Sequence, residues 1–543
     1  MFRVFVITAG VVALLATGFA MARSGRSGQD APAPKPGTPV FVVNGRGWGH
    51  GVGMSQWGAN GFARHGWDYR RIVAHYYRGT TIGEAPVAKV RVLLVAGKAT
   101  LTISSAAPFR VRDASGKVKT LTGKQVIGPG LRVKAKGVKR RVALEPPLVF
   151  LPGEEPLRLA RRYRGTIQVD RVGRKLRAIN VVGLEQYLYG VVPAEVPDDW
   201  PAEVLKAQAV AARSYALATR KTGGAFDVYP DVRSQVYRGV DEEVPSTNAA
   251  VDETAGEVLT YGGRLIIAYF HSTSGGRTAS VVDVWPGSKP TPYLVSVNDP
   301  YDSISPHHIW GPVVVPAARL QKVLKAPGKL IDARTTVNSS QRADTVVGVG
   351  TLGEGSARAG EVRRGLGLRS TWFRIGVLAL PQPAKAHVFG TTTRLTGTGR
   401  GVAGFRLEYR APDGWKVVAL PRTASDGTFT LAVRPTTSAD YRLSLGTART
   451  AAIRLSVAPN IRLNPVTDPM ELRGRMRPGI VGAAVEIQRL AGNTWRIVGR
   501  ATVAEAGTFT AAMHVPPGSY RARISRPGRG LVAGTSPTLV VAG

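Results

Sequence analysis

The sequence predicts an α+β protein in which a mixed α/β domain with a β-rich part is followed by two all-β sandwiches. Three observations predict this: a strongly patterned helix between residues 201 and 220, a run of short alternating β-branched segments over residues 87–182, and an internal repeat in the last third of the chain. With 543 residues and 43% hydrophobic content, the chain can hold about three or four domains with their own cores.

The N-terminus has the pattern of an export signal. Arg3 precedes an apolar run from Val4 to Ala20, and small residues at 20 and 22 form a cleavage signature. Residues 1–22 are therefore predicted to be a signal peptide, and the Ser-, Gly-, Ala- and Pro-rich residues 23–39 a flexible linker. An uncleaved membrane anchor is the alternative, because 17 apolar residues lie at the lower limit for a membrane span.

The charge balance predicts an extended anionic partner. Lysine and arginine number 73 against 36 acidic residues, a formal charge of +37, and they are spread along the chain. Nucleic acid and anionic cell-wall polymers both fit such a charge, and the export signal favours the wall polymers. The chain has no cysteine, which excludes disulfides, thiolate nucleophiles and cysteine-ligated zinc.

The first domain is predicted to cover residues 40–380. It opens with a glycine-rich loop (45–53), followed by a short helix over residues 54–64 and a second helix over 69–77. The alternating runs of residues 87–182 follow as the β-rich part.

A longer helix is predicted from about residue 201 to 220. Pro201 fits its first turn and Asp198 or Asp199 its N-cap, and apolar residues recur along one face. Residues 257–270 then predict two strands joined by a two-residue Gly-Gly turn, which would deliver the following HSTSGGRT loop to a strand end.

Beyond Pro381 the chain repeats itself with a period of about eighty residues. Residues 405–430 match residues 485–510, and the match places Trp415 over Trp495. Each unit, predicted as 385–458 and 459–543, resembles a bacterial immunoglobulin-like sandwich with a role in spacing, adhesion or wall binding.

Glu195 is the candidate catalytic residue. It lies between Val192-Pro193 and Val196-Pro197 with no adjacent cation, and burial in such a frame raises the pKa of a carboxyl so that it holds a proton near neutral pH. The alternative is a surface glutamate in a turn.

Seven ordered motifs surround this residue and belong to one pattern. They are GRGWGHGVGMSQWGANGFARHGWDYRRIVAHYYRGT (45–80), GVVPAEVP (190–197), LKAQAVAARSYA (205–216), SQVYRG (234–239), VLTYGGRLIIAYFHSTSGGRT (258–278), PYLVSVNDP (292–300) and LGLRSTWF (366–373). Together they resemble the stage II sporulation protein D family (SpoIID/LytB domains) over about residues 41–375.

The motif order departs from that family. In the family the GHGVGMSQ and HYY-GT segments follow the LRST-F segment, whereas here they come first, so the domain resembles a circular permutation. Such a change requires the original termini to lie close together. The sequence therefore predicts that Phe373 lies near Phe41, and that residues 50–56 fold back beside Glu195.

The resemblance implies an activity. Family members that carry the glutamate resemble lytic transglycosylases, which cut the MurNAc–GlcNAc bond of peptidoglycan and leave a 1,6-anhydro sugar, on glycan stripped of its peptides. Glu195 matches the catalytic position, and no second carboxylate accompanies it in the motif. Asp198, Asp199 and Glu203 are expected to cap or charge the helix start. The alternative is a non-catalytic wall-binding protein like the LytB amidase enhancers, acting with an N-acetylmuramoyl-L-alanine amidase.

Nine further residues are candidates for substrate binding. They are Arg213, Lys206, Gln235, Tyr237, His50, Ser55, Gln56, His271 and Ser274. For Arg213 a solvated helix face is the alternative, for Tyr237 a core position, and for His50 a structural role. Zinc is associated with some family members through a histidine and cysteines, but this chain has Ser274 and no cysteine, so no metal or cofactor is expected. The expected location is outside the cell, in the wall or on the membrane surface.

Overall fold

The computed structural model describes residues 37–542. The predicted signal peptide and all but the last residues of the predicted linker lie outside this range. Within it, no helix is long and apolar enough to cross a membrane. The described chain mixes helices and strands, as the sequence predicts.

The α-helices of the described chain all lie before residue 367. They are α1 (Gln56–Arg64), α2 (Tyr69–Tyr76), α3 (Leu184–Tyr189), α4 (Val192–Glu195), α5 (Ala202–Thr219), α6 (Pro245–Glu253), α7 (Val281–Val284), α8 (Ala317–Leu324) and α9 (Ala359–Leu366). Short 3-10 turns occur at Gly239–Glu242, Pro300–Ile304 and Glu505–Gly507.

Twenty-three of the described strands precede residue 380. They are β1 (Val40–Arg46), β2 (Met54–Ser55), β3 (Thr81–Glu84), β4 (Lys89–Lys98), β5 (Leu101–Ile103), β6 (Phe109–Arg112), β7 (Val118–Leu121), β8 (Gln125–Ile127), β9 (Arg132–Val133), β10 (Val142–Ala143), β11 (Leu148–Leu151), β12 (Leu157–Leu159), β13 (Arg161–Tyr163), β14 (Thr166–Val172), β15 (Lys175–Gly183), β16 (Glu257–Tyr261), β17 (Arg264–Leu265), β18 (Phe270–His271), β19 (Ile309–Val315), β20 (Leu330–Val337), β21 (Ala343–Gly350), β22 (Gly353–Arg358) and β23 (Phe373–Ala379).

The remaining strands build the C-terminal third. They are β24 (His387–Val388), β25 (Thr393–Arg400), β26 (Arg406–Ala411), β27 (Gly414–Ala419), β28 (Thr428–Val433), β29 (Ala439–Leu445), β30 (Ala448–Arg449), β31 (Ile453–Leu455), β32 (Val457–Ala458), β33 (Asn460–Leu463), β34 (Glu471–Arg477), β35 (Ala484–Ala491), β36 (Thr494–Thr502), β37 (Thr508–Ala512), β38 (Gly518–Ile524), β39 (Gly534–Thr535) and β40 (Leu539–Val541).

The region predicted to be β-rich forms a six-stranded sheet in the order β4-β15-β14-β11-β6-β7. Its strands alternate buried and exposed residues, as in β6, where Phe109 and Val111 are buried and Arg110 and Arg112 are exposed. This period of two buries one face of the sheet and leaves the other in water. The buried face joins the same apolar core as the helices around Glu195.

The long helix α5 lies at the centre of the first domain. Twelve of its residues are buried, on all sides of the helix, so the predicted apolar face underestimates its burial. The predicted N-cap is wrong: α5 begins after Pro201, whose side chain cannot accept a hydrogen bond, while Asp198 and Asp199 remain exposed before it. The two short helices and the Gly-Gly hairpin are confirmed, with Tyr261 paired to Arg264 across the turn.

The predicted closure of the domain is confirmed. Strand β1 pairs antiparallel with β23, and the register sets Gly45 opposite Phe373 and Val42 opposite Gly376. The segment before the first motif and the segment after the last motif are therefore neighbours in one sheet.

The first domain and the first sandwich share a sheet across the predicted domain boundary. The five-stranded sheet β19-β1-β23-β25-β28 runs across it, with Val377 opposite Arg400. The reason is that β1 is apolar on both faces. Phe41 and Val43 pack into a core with α8 and α9, whereas Val40 and Val42 pack into the core of the first sandwich.

Two features of the remaining chain complete the fold. Helices α8 and α9 pack on a small sheet, β20-β21-β22, which the sequence analysis did not foresee. The second sandwich has its own core between β33-β34-β37 and the sheet of β35, β36, β38, β39 and β40. Its Phe509 packs against Gly474, as Phe429 packs against Gly397 in the first sandwich.

Candidate functional site

Glu195 is the last residue of the one-turn helix α4, directly before an extended turn into Pro197. Its side chain is only 7% exposed, and its Oε1 atom has no hydrogen-bond partner among the described residues. Burial raises the pKa of this carboxyl from 4.5 to about 7, and the backbone amide of Val236 lowers it in part. The group is thus a carboxylic acid that exchanges its proton near neutral pH.

Gln56, the last residue of the segment 50–56, lies beside Glu195, as the permuted motif order predicts. The side-chain amide of Gln56 donates to the backbone carbonyl of Glu195 at 3.2 Å and to Oε1 of Gln208 on α5 at 3.4 Å. Residues more than a hundred positions apart are therefore joined by one buried glutamine.

Glycine is required in this loop because two backbones meet there. Trp48 and Thr273 exchange backbone hydrogen bonds of 2.8 and 3.0 Å, and β2 runs parallel to β18. Gly53 has a φ of +72°, and a Cβ on it would lie 1.9 Å from the carbonyl oxygen of Tyr269. No side chain fits at this position without moving the backbone at Tyr269, just before the HSTSGG loop.

Unpaired amide groups lie close to the unpaired carboxyl oxygen. The side-chain nitrogens of Gln208 and Gln235 are buried and have no acceptor among the described residues. Gln235 accepts a hydrogen bond of 3.3 Å from Tyr187. Burial raises the pKa of that tyrosine, and the Glu195 carboxylate raises it further. One acceptor of Glu195 and two amide donors of the neighbouring residues are therefore buried without a partner among the described residues.

Aromatic side chains extend from Glu195. Burial raises the pKa of Tyr215, with smaller contributions from Tyr269 and then from the Glu195 carboxylate. The ring centroids of Tyr215 and Tyr269 lie 5.8 Å apart. Tyr269 lies 4.9 Å from Trp285 and 5.9 Å from His50. All four rings are partly exposed, so together they form an accessible aromatic surface.

The sequence analysis missed most of this aromatic surface. Trp57 and Trp200, 4.9 Å apart, were missed as well. Tyr215 and Tyr269 lie inside the quoted motifs, next to residues that were selected. A search for aromatic residues within those motifs would have found both.

Both predicted histidines are neutral and form part of the loop packing. His50 Nδ1 accepts from the amide of Val52 at 3.1 Å, and burial lowers its pKa to about 3. His271 is fully buried 5.5 Å from His50, its Nδ1 lies 3.2 Å from the carbonyl of Val52, and burial lowers its pKa as well.

The donor set around these histidines does not fit the zinc site known in some family members. Only two imidazoles lie together, and the hydroxyl of Ser274, a poor zinc ligand, accepts from the amide of Gly276 at 3.0 Å. No chemical step is assigned to a metal here.

Ser55 and Ser274 are both fully buried in a hydrogen-bond network around Asp302. Ser55 donates to Asp302 at 2.8 Å and accepts from Gly58 as the N-cap of α1, and the amide of Ser274 donates to Asp302 at 2.8 Å. These contacts hold the two loops together. They leave neither residue on the surface to bind a substrate, contrary to the sequence prediction.

Arg213 is also buried, so it is not exposed to a substrate. Its side chain has no exposed area, it pairs with Glu185, and it donates to the carbonyl of Glu257 at 3.0 Å. A buried guanidinium needs such partners because desolvation of an unpaired charge is unfavourable. Its role is structural, so both predictions for Arg213, substrate binding and a solvated helix face, are wrong.

The substrate-binding prediction is corrected for Tyr237, whereas for Lys206 it stays a prediction. Tyr237 is 3% exposed and donates to Asn180 at 2.8 Å, which is the core position named as its alternative. Lys206 pairs with Glu203 at 3.0 Å and with Glu253 at 2.6 Å. Gln56 and Gln235 remain beside Glu195, with the contacts given above.

Among the described residues, no second carboxylate shifts the pKa of Glu195. Its pKa responds to burial and to one backbone amide alone. Asp198 and Asp199 are exposed, and Glu203 accepts from the amide of Tyr69 at 2.7 Å at the start of α2.

Comparison with known proteins agrees with the motifs. The family model described as "Stage II sporulation protein" matches residues 172–261. An uncharacterized protein of Brachyspira hyodysenteriae is 34% identical over 220 residues, which cover 38% of this chain and 57% of that protein. Stage II sporulation protein D of Bacillus subtilis is 28% identical over 275 residues, covering 46% and 75%.

The amidase enhancer of Bacillus subtilis is 44% identical over 116 residues, which cover 21% of this chain and 15% of the enhancer. The chain thus spans little more than half of one of these relatives and a small part of another. A two-domain fibronectin type III segment of chicken tenascin, 19% identical, covers 30% of this chain and 97% of its own length at a TM-score of 0.18. A score this low carries no argument about the fold.

The matched segment runs from β14 through α5 to β16 and contains Glu195. The motifs, the closure of β1 on β23 and the sequence relatives agree. The domain that carries Glu195 thus matches the SpoIID family model and is similar to stage II sporulation protein D and to the amidase enhancer.

Proposed function

We propose that this chain is an exported lytic transglycosylase that cleaves the MurNAc–GlcNAc bond of peptidoglycan and leaves 1,6-anhydro-MurNAc ends. The observation that carries the proposal is Glu195, a buried carboxyl with an unpaired oxygen and a pKa of about 7. Such a group is protonated often enough to act as an acid and ionised often enough to act as a base at neutral pH.

The proposed reaction uses this one carboxyl twice. Glu195 donates its proton to the glycosidic oxygen as the bond from that oxygen to C1 breaks. The resulting carboxylate then accepts the proton of the C6 hydroxyl while the C6 oxygen forms a bond to C1. The proton balance of Glu195 is restored, no water is consumed, and no cofactor takes part.

The absence of a neighbouring carboxylate effect on Glu195 supports this chemistry over hydrolysis with retention of configuration. Glycoside hydrolases use two carboxyl groups, about 5–5.5 Å apart when they retain configuration and about 6.5–9.5 Å apart when they invert it. A carboxylate at the shorter distance would act on the pKa of Glu195, but only burial and a backbone amide do so. An internal hydroxyl as nucleophile removes the need for a second carboxyl to activate water.

The lining of the site supports a glycan as substrate. Partly exposed rings of Tyr215, Tyr269 and Trp285 offer apolar faces on which sugar rings pack. We propose peptide-stripped glycan strands as the preferred substrate, made available by an N-acetylmuramoyl-L-alanine amidase. The predicted signal peptide and the charge of +37 support secretion and retention at an anionic wall.

The test is mass spectrometry of the products released from peptidoglycan with and without prior amidase treatment. The wild-type chain should release fragments with 1,6-anhydro-MurNAc ends, and Glu195→Gln should release none. Asp198→Asn, which removes an exposed carboxylate three positions away, is the matched control and should retain activity. Reducing-end products that depend on Glu195 would overturn the transglycosylase assignment in favour of hydrolysis.

A second function is favoured by one comparison. Among the relatives named above, the highest identity, 44%, is to a protein named amidase enhancer. If the wild-type chain binds peptidoglycan and accelerates a purified amidase, and Glu195→Gln does so equally without either releasing anhydro ends, the enhancer role replaces the enzyme role.

A further inference from the structure

The β-rich part of the first domain carries a concentrated group of cations. Residues 114–144, here called the basic lobe, contain nine lysines and arginines and no aspartate or glutamate. They are Lys117, Lys119, Lys124, Arg132, Lys134, Lys136, Lys139, Arg140 and Arg141. All except the partly buried Lys119 are exposed.

Part of this charge is arranged in a row by the strand period. Leu131, Val133 and Ala135 point into the core, so Arg132, Lys134 and Lys136 share the exposed face. Side chains on one face of a strand recur every second residue, which sets these cations about 7 Å apart.

Neighbouring strands widen the row into a surface. The amide of Lys136 donates to the carbonyl of Thr120 at 2.9 Å, and Thr120 stands opposite Arg110 in the sheet. Residues directly opposite one another in paired strands point to the same face. The exposed Arg110 and Arg112 therefore extend the same cationic face.

The described chain does not neutralise this charge internally. None of its ion pairs involves a cation of the basic lobe, although arginines elsewhere in the sheet pair with Asp241, Glu243 and Asp170. Gathering unpaired like charges is unfavourable through mutual repulsion, and a bound polyanion removes that repulsion.

The composition of the basic lobe also bears on the kind of polyanion. It contains no Phe, Tyr, Trp or His. Proteins that bind single-stranded nucleic acid combine cations with aromatic rings on which bases stack. A surface that offers only evenly spaced cations suits a linear polymer recognised through its charges alone.

We propose that the basic lobe is a docking surface for a linear phosphodiester polymer of the poly(glycerol phosphate) type. The surface is separate from Glu195 and goes beyond the proposed cleavage reaction. It would hold the chain on an anionic wall polymer while Glu195 acts on glycan.

The test measures the affinity of the full chain for purified poly(glycerol phosphate) between about 50 and about 200 mM salt. The variant is the triple change Arg132→Gln, Lys134→Gln and Lys136→Gln. The expected result is at least roughly a tenfold loss of affinity at low salt and a slope of log K against log salt that is shallower by about 2 to 3.

A matched control variant removes three positive charges from another strand in which cations alternate with buried residues. In β34, Arg473, Arg475 and Arg477 alternate with buried residues, and Arg473 pairs with Glu471. Changing all three to Gln should leave the affinity within about twofold of wild type, because at least one of these charges is already neutralised.

Three outcomes would overturn the proposal: equal losses from both triple variants, no loss from the basic-lobe variant, or tighter binding to duplex DNA of equal charge through the same three residues. Cleavage of short soluble glycan reports on the proposed function independently, since the basic-lobe variant leaves Glu195 unchanged. Thermal melting of both variants should match wild type, since all six side chains are exposed.

Discussion

Burial of Glu195 should make the stability of the first domain depend on pH in a way that Glu195→Gln abolishes. Burial raises the pKa of the carboxyl from 4.5 to about 7, so the folded state keeps its proton when the unfolded state has lost it. Between these two pH values the folded state binds more protons, and the free energy of unfolding falls as pH rises. Above about pH 7 this decrease in the free energy of unfolding has reached its full size.

The magnitude follows from that difference in pKa. A difference of about 2.5 corresponds to ~3 kcal/mol, at about 1.4 kcal/mol for each pH unit, and the side chain is 7% exposed, so screening by water reduces it little. Glutamine has nearly the same shape and never ionises. We therefore expect Glu195→Gln to be more stable than wild type by about 2 to 3 kcal/mol at pH 8 and about equal to it at pH 5.

The measurement is differential scanning calorimetry of both proteins at each pH. At pH 8 the transition of the first domain should rise by roughly 3 to 6 °C in the variant. Glu354→Gln, which changes an exposed glutamate on β22, is the control. Its transition temperature should match wild type at pH 5 and at pH 8. An equal gain at both pH values, or a loss at pH 8, would refute the assignment of Glu195 as a buried acid.

Three further outcomes follow from the site. If Glu195 must donate a proton, glycan cleavage should fall above about pH 7, approaching tenfold for each pH unit; a rate that stays flat to pH 9 would contradict this. Arg213→Met should destabilise the domain by about 3 to 5 kcal/mol because it leaves Glu185 without its buried partner, whereas Lys206→Met should change stability by less than about 1 kcal/mol in chemical denaturation. Gly53→Ala should lower stability by at least about 2 kcal/mol, because its φ is positive and its Cβ would overlap the carbonyl of Tyr269; Gly66→Ala, with an equally positive φ and open space, should lose only about 1 kcal/mol.

The local sequence sufficed for elements whose signals are periodic or tied to a turn residue. Helices α1, α2 and α5 lie within two residues of their predicted bounds, and the Gly-Gly turn sits between β16 and β17. The position of Glu195 was likewise predictable, because its Val-Pro frame indicates burial.

Contacts between segments that are distant in the chain could not be predicted from local sequence in the same way. Arg213 lies among small apolar residues of α5, and nothing near it in sequence reveals that Glu185, 28 positions earlier, is its partner. The apolar run of β1 indicates a strand buried on both faces, but it does not say that the first sandwich covers one of them. Ser55 and Ser274 are buried where both form hydrogen bonds to Asp302. The sequence around an aspartate in a loop does not reveal which distant residues will bind it.

The pairing of β1 with β23 has a mechanical consequence. Val40 and Leu378 stand opposite each other, so the chain enters and leaves the first domain at the same point. A pull between the segment before Val40 and the sandwiches beyond β23 would act on the backbone hydrogen bonds of this sheet. The residues between the two strands, which include Glu195, do not transmit this force. A wall-tethered protein of this design could be stretched while its acid and the surrounding aromatic rings keep their geometry.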